Sequence, residues 1–285
     1  MAGEQDRRIP YFCFESIMKK NLVIVPTFNE AENIEELVPV VMGLERPFDM
    51  LVVDDNSPDG TAGLVEALQP KFQGRLHLLK RPNKEGLGPA YVEAFQWALD
   101  RDYDFIFEMD ADFSHDPYDL LKLQETLQNK DADVVVGSRY VRGIQVVNWP
   151  LSRILLSYFA SLYVRLITRM PVKDTTAGFV GYKKEVIKAM KEESIRFTGY
   201  AFQIEMKFKA WVKGFRLTEI PIVFTDRARG TSKMNRSIIS EAIFGIILMK
   251  IKSTHYWNMY IQVRKRNLLI NHFLKEWIDL IEWLS

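Results

Sequence analysis

Asp110 and Asp112 stand one residue apart in the run Phe107-Glu108-Met109-Asp110-Ala111-Asp112-Phe113-Ser114-His115-Asp116. An apolar strand, Asp104 to Met109, gives out there into a loop, and a helix is predicted from Pro117. In an extended chain, side chains i and i+2 point to the same face. Asp-Ala-Asp therefore aims two hard oxygen ligands at one spot, an arrangement suited to Mg²⁺ or Mn²⁺ that keeps positions open for a substrate phosphate. An acidic loop that only caps the next helix would contain the same residues, and the triplet alone does not separate the two.

The flanking segments supply the context. Asn21 to Val25, Met50 to Val53, Leu76 to Leu79, Asp104 to Met109 and Val134 to Val136 are short apolar runs suited to buried parallel strands. Between them, apolar residues at helical spacing (Ile34, Leu37, Val38, Val41; Leu64, Val65, Leu68; a helix ending near Leu99; Leu120, Leu121, Leu123, Leu127) predict connecting helices. This alternation predicts βαβ units and a mostly parallel sheet, whose ligands bind beyond the carboxyl ends of the strands. The loops after the first, second, fourth and fifth strands can then converge on one site.

Beyond Tyr140 the alternation stops. Residues 151–168 predict a helix, with Arg153, Arg165 and Arg169 among its apolar positions. A short strand is expected at Phe179 to Tyr182, a helix at Phe202 to Val212 and a strand at Phe215 to Val223. A basic, glycine-containing loop, Thr225 to Lys233, follows. Helices are read at Ile238 to Ile251 and through Ile270, Phe273, Leu274, Trp277, Ile278, Ile281 and Leu284. The last fits an interfacial helix with one face in lipid, or a helix packed on the domain or a second subunit.

Composition narrows the class. Residues 18–235 are expected to form the main domain, 1–17 a disordered leader and 236–285 an amphipathic helical region. A net charge of +1 gives no bulk electrostatic case for nucleic acid. Cys13 is the single cysteine, which forbids an intrachain disulfide and fits a reducing compartment. His77, His115, His255 and His272 lack close metal-ligand spacing. No segment reads as the roughly 18 apolar residues of a spanning helix.

In order along residues 20–235, these motifs resemble the GT-A glycosyltransferases of family 2, and within them the polyprenol-phosphate (dolichol-phosphate) mannosyltransferases. The residues that carry the resemblance are Pro26-Thr27-Phe28-Asn29-Glu30, Asp54-Asp55-Asn56-Ser57-Pro58-Asp59-Gly60-Thr61, Gly86-Leu87-Gly88, Asp110-Ala111-Asp112-Phe113-Ser114-His115, Gly137-Ser138-Arg139-Tyr140, Asp174-Thr175-Thr176-Ala177-Gly178-Phe179, and Asp226-Arg227 with Ser232-Lys233. Two positions depart from the family. Phe28 stands where a Tyr is usual, which removes a hydroxyl contact to the nucleotide, and Phe113 where an aliphatic residue is common.

The resemblance implies a GT-A (Rossmann-like) mixed, mostly parallel sheet flanked by helices, with C-terminal amphipathic helices at the bilayer surface. It implies an enzyme that moves mannose from GDP-mannose to a polyprenyl or dolichyl monophosphate with inversion. The chain would sit peripherally at the cytoplasmic face of a membrane. Asp110, Asp112 and Ser114 would hold Mg²⁺ or Mn²⁺. Pro26, Phe28, Glu30, Val53, Asp55, Asp110, Ala111 and Lys233 would bind the donor nucleotide. Arg139, Arg153, Ser157 and Arg227 would bind the acceptor phosphate, and Asp112, Arg139 and Arg227 would act in catalysis. Arginine suits this task, because its planar fork matches phosphate. A sister enzyme using a UDP-sugar on lipid phosphate or glycan, and a non-catalytic phosphate-binding module on a doubly wound sheet, are the alternatives.

Overall fold

The computed structural model describes residues 19–129, 132–193, 195–199, 201–226, 245–251 and 253. Its first half alternates as expected: β1 (Asn21–Thr27), α1 (Ala31–Met42), β2 (Phe48–Asp54), α2 (Thr61–Leu68), β3 (Leu76–Lys80), α3 (Leu87–Leu99), β4 (Phe105–Glu108), α4 (Asp119–Asn129) and β5 (Val134–Ser138). The second half adds β6 (Val146–Val147), α5 (Leu151–Thr168), β7 (Val180–Lys183), α6 (Lys184–Lys191), α7 (Ala201–Val212), β8 (Leu217–Pro221) and β9 (Phe224–Thr225).

The main sheet has seven strands in the order β3-β2-β1-β4-β7-β5-β8. Six run parallel, and β7 runs antiparallel between β4 and β5. Both sheet faces are covered, which is why the strands are apolar without alternation. Val23 and Val25 face a core shared with α1, α2 and α4, while Leu22 and Ile24 face one shared with α3, α6 and α7.

β7 is the strand at Phe179 to Tyr182 shifted by one residue, and its direction matters. An antiparallel strand starts where its neighbours end, so the 174–178 segment that feeds β7 reaches the same edge as the loops after β4 and β5. α6 has no counterpart in the sequence reading. Lys184-Glu185-Val186-Ile187-Lys188-Ala189-Met190-Lys191 is short and half charged, and only Val186, Ile187 and Met190 are buried.

α5 matches the expected helix at both ends, but it corrects the expectation that no segment has spanning length. Its 18 residues have a mean hydropathy of 1.2, and by length and composition they could cross a membrane. Ser161, Val164 and Thr168 pack inward, while Leu151, Leu155, Leu156, Tyr158, Phe159 and Leu166 are exposed. The helix at 245–251 docks Ile246 beside Val164, Met170, Ile204 and Phe208, and leaves Ile247, Leu248 and Ile251 exposed. The leader 1–17, Arg227, Gly230, Lys233, residues 238–244 and the 270–284 run lie outside the described residues.

Candidate active site

The loop after β4 turns sharply. Phe113 sits at φ 57, a left-handed conformation that is sterically costly for a bulky residue. That turn lets the Ser114 N–H donate to Asp112 Oδ1 at 3.1 Å. The Asp112 side chain is almost sealed, whereas the Asp110 side chain is 44% exposed at the mouth. Ser114 is buried, and among the described residues its Oγ has no hydrogen-bond partner. The described residues hold no cluster of three His, Cys, Asp or Glu groups. Two carboxylates and one orphaned hydroxyl nonetheless fit a hard divalent ion that takes its remaining oxygens from a diphosphate and water.

His115 belongs to this motif, and its residue type alone assigns it no role. Its ring stacks on Phe179 with centroids 4.9 Å apart and meets Phe224 edge-on at 5.2 Å. Nδ1 lies 3.5 Å from the Asp110 N–H, at the outer limit of a hydrogen bond. Burial lowers its pKa to about 4, so the ring is neutral at pH 7. Protonation must then cost stability. This contribution is complete above the unfolded value of about 6.5 and is lost as pH falls toward 4, by about 3 kcal/mol. Denaturant titrations at pH 7, 6 and 5 should show about 2 kcal/mol of that loss, and His115→Asn should flatten it.

Asp54 and Asp59 organise the loop after β2. Asp54 accepts the Thr27 hydroxyl at 3.0 Å, the Ser57 hydroxyl at 2.5 Å and the Ser57 N–H at 2.9 Å. Asp59 accepts the N–H groups of Ala31 and Thr61, each at 3.0 Å, and so caps α1 and α2. Pro26 and Phe28 are half-buried, and the Lys84 ammonium lies 3.9 Å over the Phe28 ring. The Glu30 carboxylate takes the Asn33 amide at 2.7 Å. Val53 is sealed in the core and its carbonyl accepts the Thr27 hydroxyl at 3.4 Å, so any donor contact there is a backbone contact. Ala111, between Asp110 and Asp112, is buried.

Asp55 has a partner that no sequence signal marked. Arg81 is buried and ties Asp55 at 2.5 Å to Glu85 and Glu93, each at 3.0 Å. Burial raises the Asp55 pKa against the pull of this guanidinium. Gly86-Leu87-Gly88 also gains a physical reason. The Gly88 N–H donates to the Thr198 carbonyl at 2.9 Å, and a Cβ on Gly88 would collide with the Phe197 carbonyl. Glu205 holds that same segment by accepting the N–H groups of Arg196 at 2.9 Å and Phe197 at 3.1 Å.

In the loop after β5, Arg139 is buried and doubly bound to Asp174: Nε to Oδ2 at 2.7 Å and Nη2 to Oδ1 at 2.6 Å. Nη2 also reaches Thr176 Oγ1 at 2.9 Å, and these bonds leave Nη1 outside them. Burial opposes the Asp174 carboxylate, yet the Arg139 charge outweighs it and holds its carboxyl below the usual range. Arg153 is more open. Its guanidinium lies 4.1 Å over Trp149 and bonds Asp226 at 2.7 Å. Ser157 accepts the Tyr140 hydroxyl at 2.8 Å.

β9 joins the two sides. The Thr225 N–H donates to the Ser114 carbonyl at 3.2 Å, and Phe224 contacts both His115 and Trp149. The next residue is Asp226, the partner of Arg153. The structure thus brings Asp110, Asp112, Ser114, Arg139, Arg153 and Ser157 to one rim, with Asp174, His115, Trp149 and Phe224 as members the sequence reading did not place there.

A carboxyl-edge site with an Asp-Ala-Asp loop on a mostly parallel sheet fits a glycosyltransferase, and residues 22–190 match the model of glycosyl transferase family 2. The chain belongs to that family and is a glycosyltransferase. It is 42% identical over 228 residues to polyprenol monophosphomannose synthase of Mycolicibacterium smegmatis, covering 80% of this chain and 86% of the relative. It is 41% identical over 229 residues to undecaprenyl-phosphate mannosyltransferase of Micrococcus luteus, covering 79% and 91%. Glucosyl-3-phosphoglycerate synthase of Mycobacterium tuberculosis, solved with Mn²⁺, UDP-glucose and phosphoglyceric acid, shares the fold. Its TM-score is 0.60 at 15% identity, covering 81% of this chain and 79% of that one.

Proposed function

We propose that this chain transfers mannose from GDP-mannose to a polyprenyl monophosphate with inversion, aided by Mg²⁺ or Mn²⁺, while lying on a membrane surface. The observation that carries this reading is the 42% identity to a polyprenol monophosphomannose synthase across 80% of the chain.

The acceptor is a phosphate monoester, largely a dianion near neutral pH, since its second pKa is about 6. It is already a nucleophile and needs no strong general base. One of its oxygens forms the new bond to the mannose anomeric carbon from the face opposite GDP. The bond from that carbon to the β-phosphate oxygen breaks, and GDP leaves with the electron pair. The enzyme's task is to hold two anions together. Arg153 and the free Nη1 edge of Arg139 meet the acceptor phosphate, with Ser157 and Arg227 in support. Phe28, Glu30, Asp55 and the backbone at Val53 line the nucleoside site, with Pro26 and Ala111 beside them, and Lys233, outside the described residues, is assigned to donor binding with them. Asp110 and Asp112, with Ser114, would hold the divalent ion, which would offset charge developing on the diphosphate.

A lipid acceptor also gives the outward apolar residues of α5 a purpose. Contiguous exposed apolar surface of this kind marks an interaction site. The inward face of α5 is taken up by the domain, so its outer face can lie in the headgroup region beside Arg153. Leu155→Glu with Phe159→Glu should cut co-flotation with anionic vesicles at least tenfold; unchanged flotation would remove α5 as the contact.

The deciding assay offers GDP-mannose, UDP-glucose and UDP-N-acetylglucosamine to the purified chain with a short polyprenyl phosphate. A mannosyl-phosphate lipid from GDP-mannose is expected. Turnover only with a UDP-sugar would overturn the donor assignment.

A further inference from the structure

Beneath the rim is a charged group that the transfer chemistry does not use. α7 presents Gln203 and Lys207, one turn apart, to the interior, and Lys207 is 0% exposed. Its Nζ donates to the Ala177 carbonyl at 2.7 Å and lies 3.5 Å from Gln203 Oε1. Glu108, the last residue of β4, is equally sealed and accepts the Tyr182 hydroxyl at 3.3 Å. Gln203 is among the groups that favour the Glu108 carboxylate. Burial pushes Lys207 down and Glu108 up, each opposed by the charge of the other.

Burying ionisable groups is costly, and apolar residues of similar volume are often as stable or more so. Stability therefore gives little reason for these two residues, but their location does. Ala177 lies three residues after Asp174, which holds Arg139. Glu108 lies two residues before Asp110. One ammonium thus touches the acceptor loop and faces the strand that carries the donor carboxylates. Among the described residues, no rim side chain bonds the Ala177 carbonyl in this way.

We infer that Lys207 is a positioning residue for the transfer step: from below the sheet edge it fixes the 174–177 segment, and through Asp174 the Arg139 guanidinium, against the strand presenting Asp110 and Asp112. The inference deepens the proposed function and rests on it for its kinetic consequence. It predicts an effect on acceptor binding and on turnover, with little effect on donor binding.

The test compares Lys207→Met, Glu108→Gln and the double variant in the full chain. Lys207→Met should raise the KM for polyprenyl phosphate at least fivefold and lower kcat at least tenfold, with the KM for GDP-mannose within twofold. Because Lys207→Met removes the positive charge near buried Glu108 and can fail to fold, the double variant carries the decision. It should regain the unfolding midpoint, yet keep an acceptor KM at least fivefold above that of Glu108→Gln alone. Recovery of acceptor KM and kcat together with stability would overturn the inference, as would wild-type kinetics in Lys207→Met. Wild-type inactivity with every nucleotide sugar would instead overturn the proposed function. Amide hydrogen exchange across 174–180 then decides the positioning role: at least tenfold faster exchange on loss of Lys207 supports it, and unchanged exchange overturns it.

Discussion

Asp112→Asn is expected to lower turnover by about a thousandfold while leaving the unfolding midpoint nearly unchanged. The substitution separates charge from shape. Asp112 Oδ1 accepts the Ser114 N–H at 3.1 Å, and an amide oxygen can do the same, so the turn at Phe113 survives. One negative charge of the Asp110–Asp112 pair is lost. A hard divalent ion prefers charged oxygen ligands, so its affinity in the presence of GDP should fall as well, and Mn²⁺ titration followed by paramagnetic resonance reads this directly. A thousandfold loss corresponds to about 4 kcal/mol of transition-state stabilisation, within what a metal supplies to a leaving diphosphate. Wild-type turnover and Mn²⁺ affinity in Asp112→Asn would remove the metal from these carboxylates.

Asp174→Ala should affect both folding and chemistry. It strands the Arg139 guanidinium in a buried site, where breaking such a pair from one side costs about 3–5 kcal/mol. For a domain of this size that is a fall of about 10 °C in the unfolding midpoint. The same change releases Arg139 from the two bonds, at 2.7 and 2.6 Å, that aim it, so kcat/KM for the acceptor should drop at least a hundredfold. Replacing both partners, Arg139→Met with Asp174→Leu, should recover much of the stability and none of the activity. Activity in that pair at the wild-type level would show that Arg139 has no part in transfer.

The readings that succeeded from residues alone rest on local chemistry. β1, β2, β4 and β5 were visible because strands buried on both faces are uninterrupted apolar runs, and the loops after them are rich in Asp, Asn, Gly and Pro. α5 was visible at both ends because Pro150 opens it and its inward positions recur at helical spacing. α6 was missed because eight residues with three buried positions give too little periodicity to read. The family assignment was legible because it depends on residue types in order, which folding does not change.

Pairing was not legible in the same way. Arg139 and Asp174 are 35 residues apart and both stood in quoted motifs, yet nothing local said that they bond to each other. Arg81, between Lys80 and Pro82, carried no signal at all. The sequence by itself determined which groups stand on each loop: two carboxylates after β4, an arginine after β5, and a second arginine on α5. Only the tertiary structure decided which charges meet. β7 inserts against the direction of its neighbours and brings the 174–178 segment to the rim. β9 draws Ser114, His115 and Arg153 together, and Lys207 enters from α7 beneath them. The physical reason is that residue identity is a property of one position, whereas an ion pair depends on topology, and strand direction is set by packing over distances that no short motif encodes.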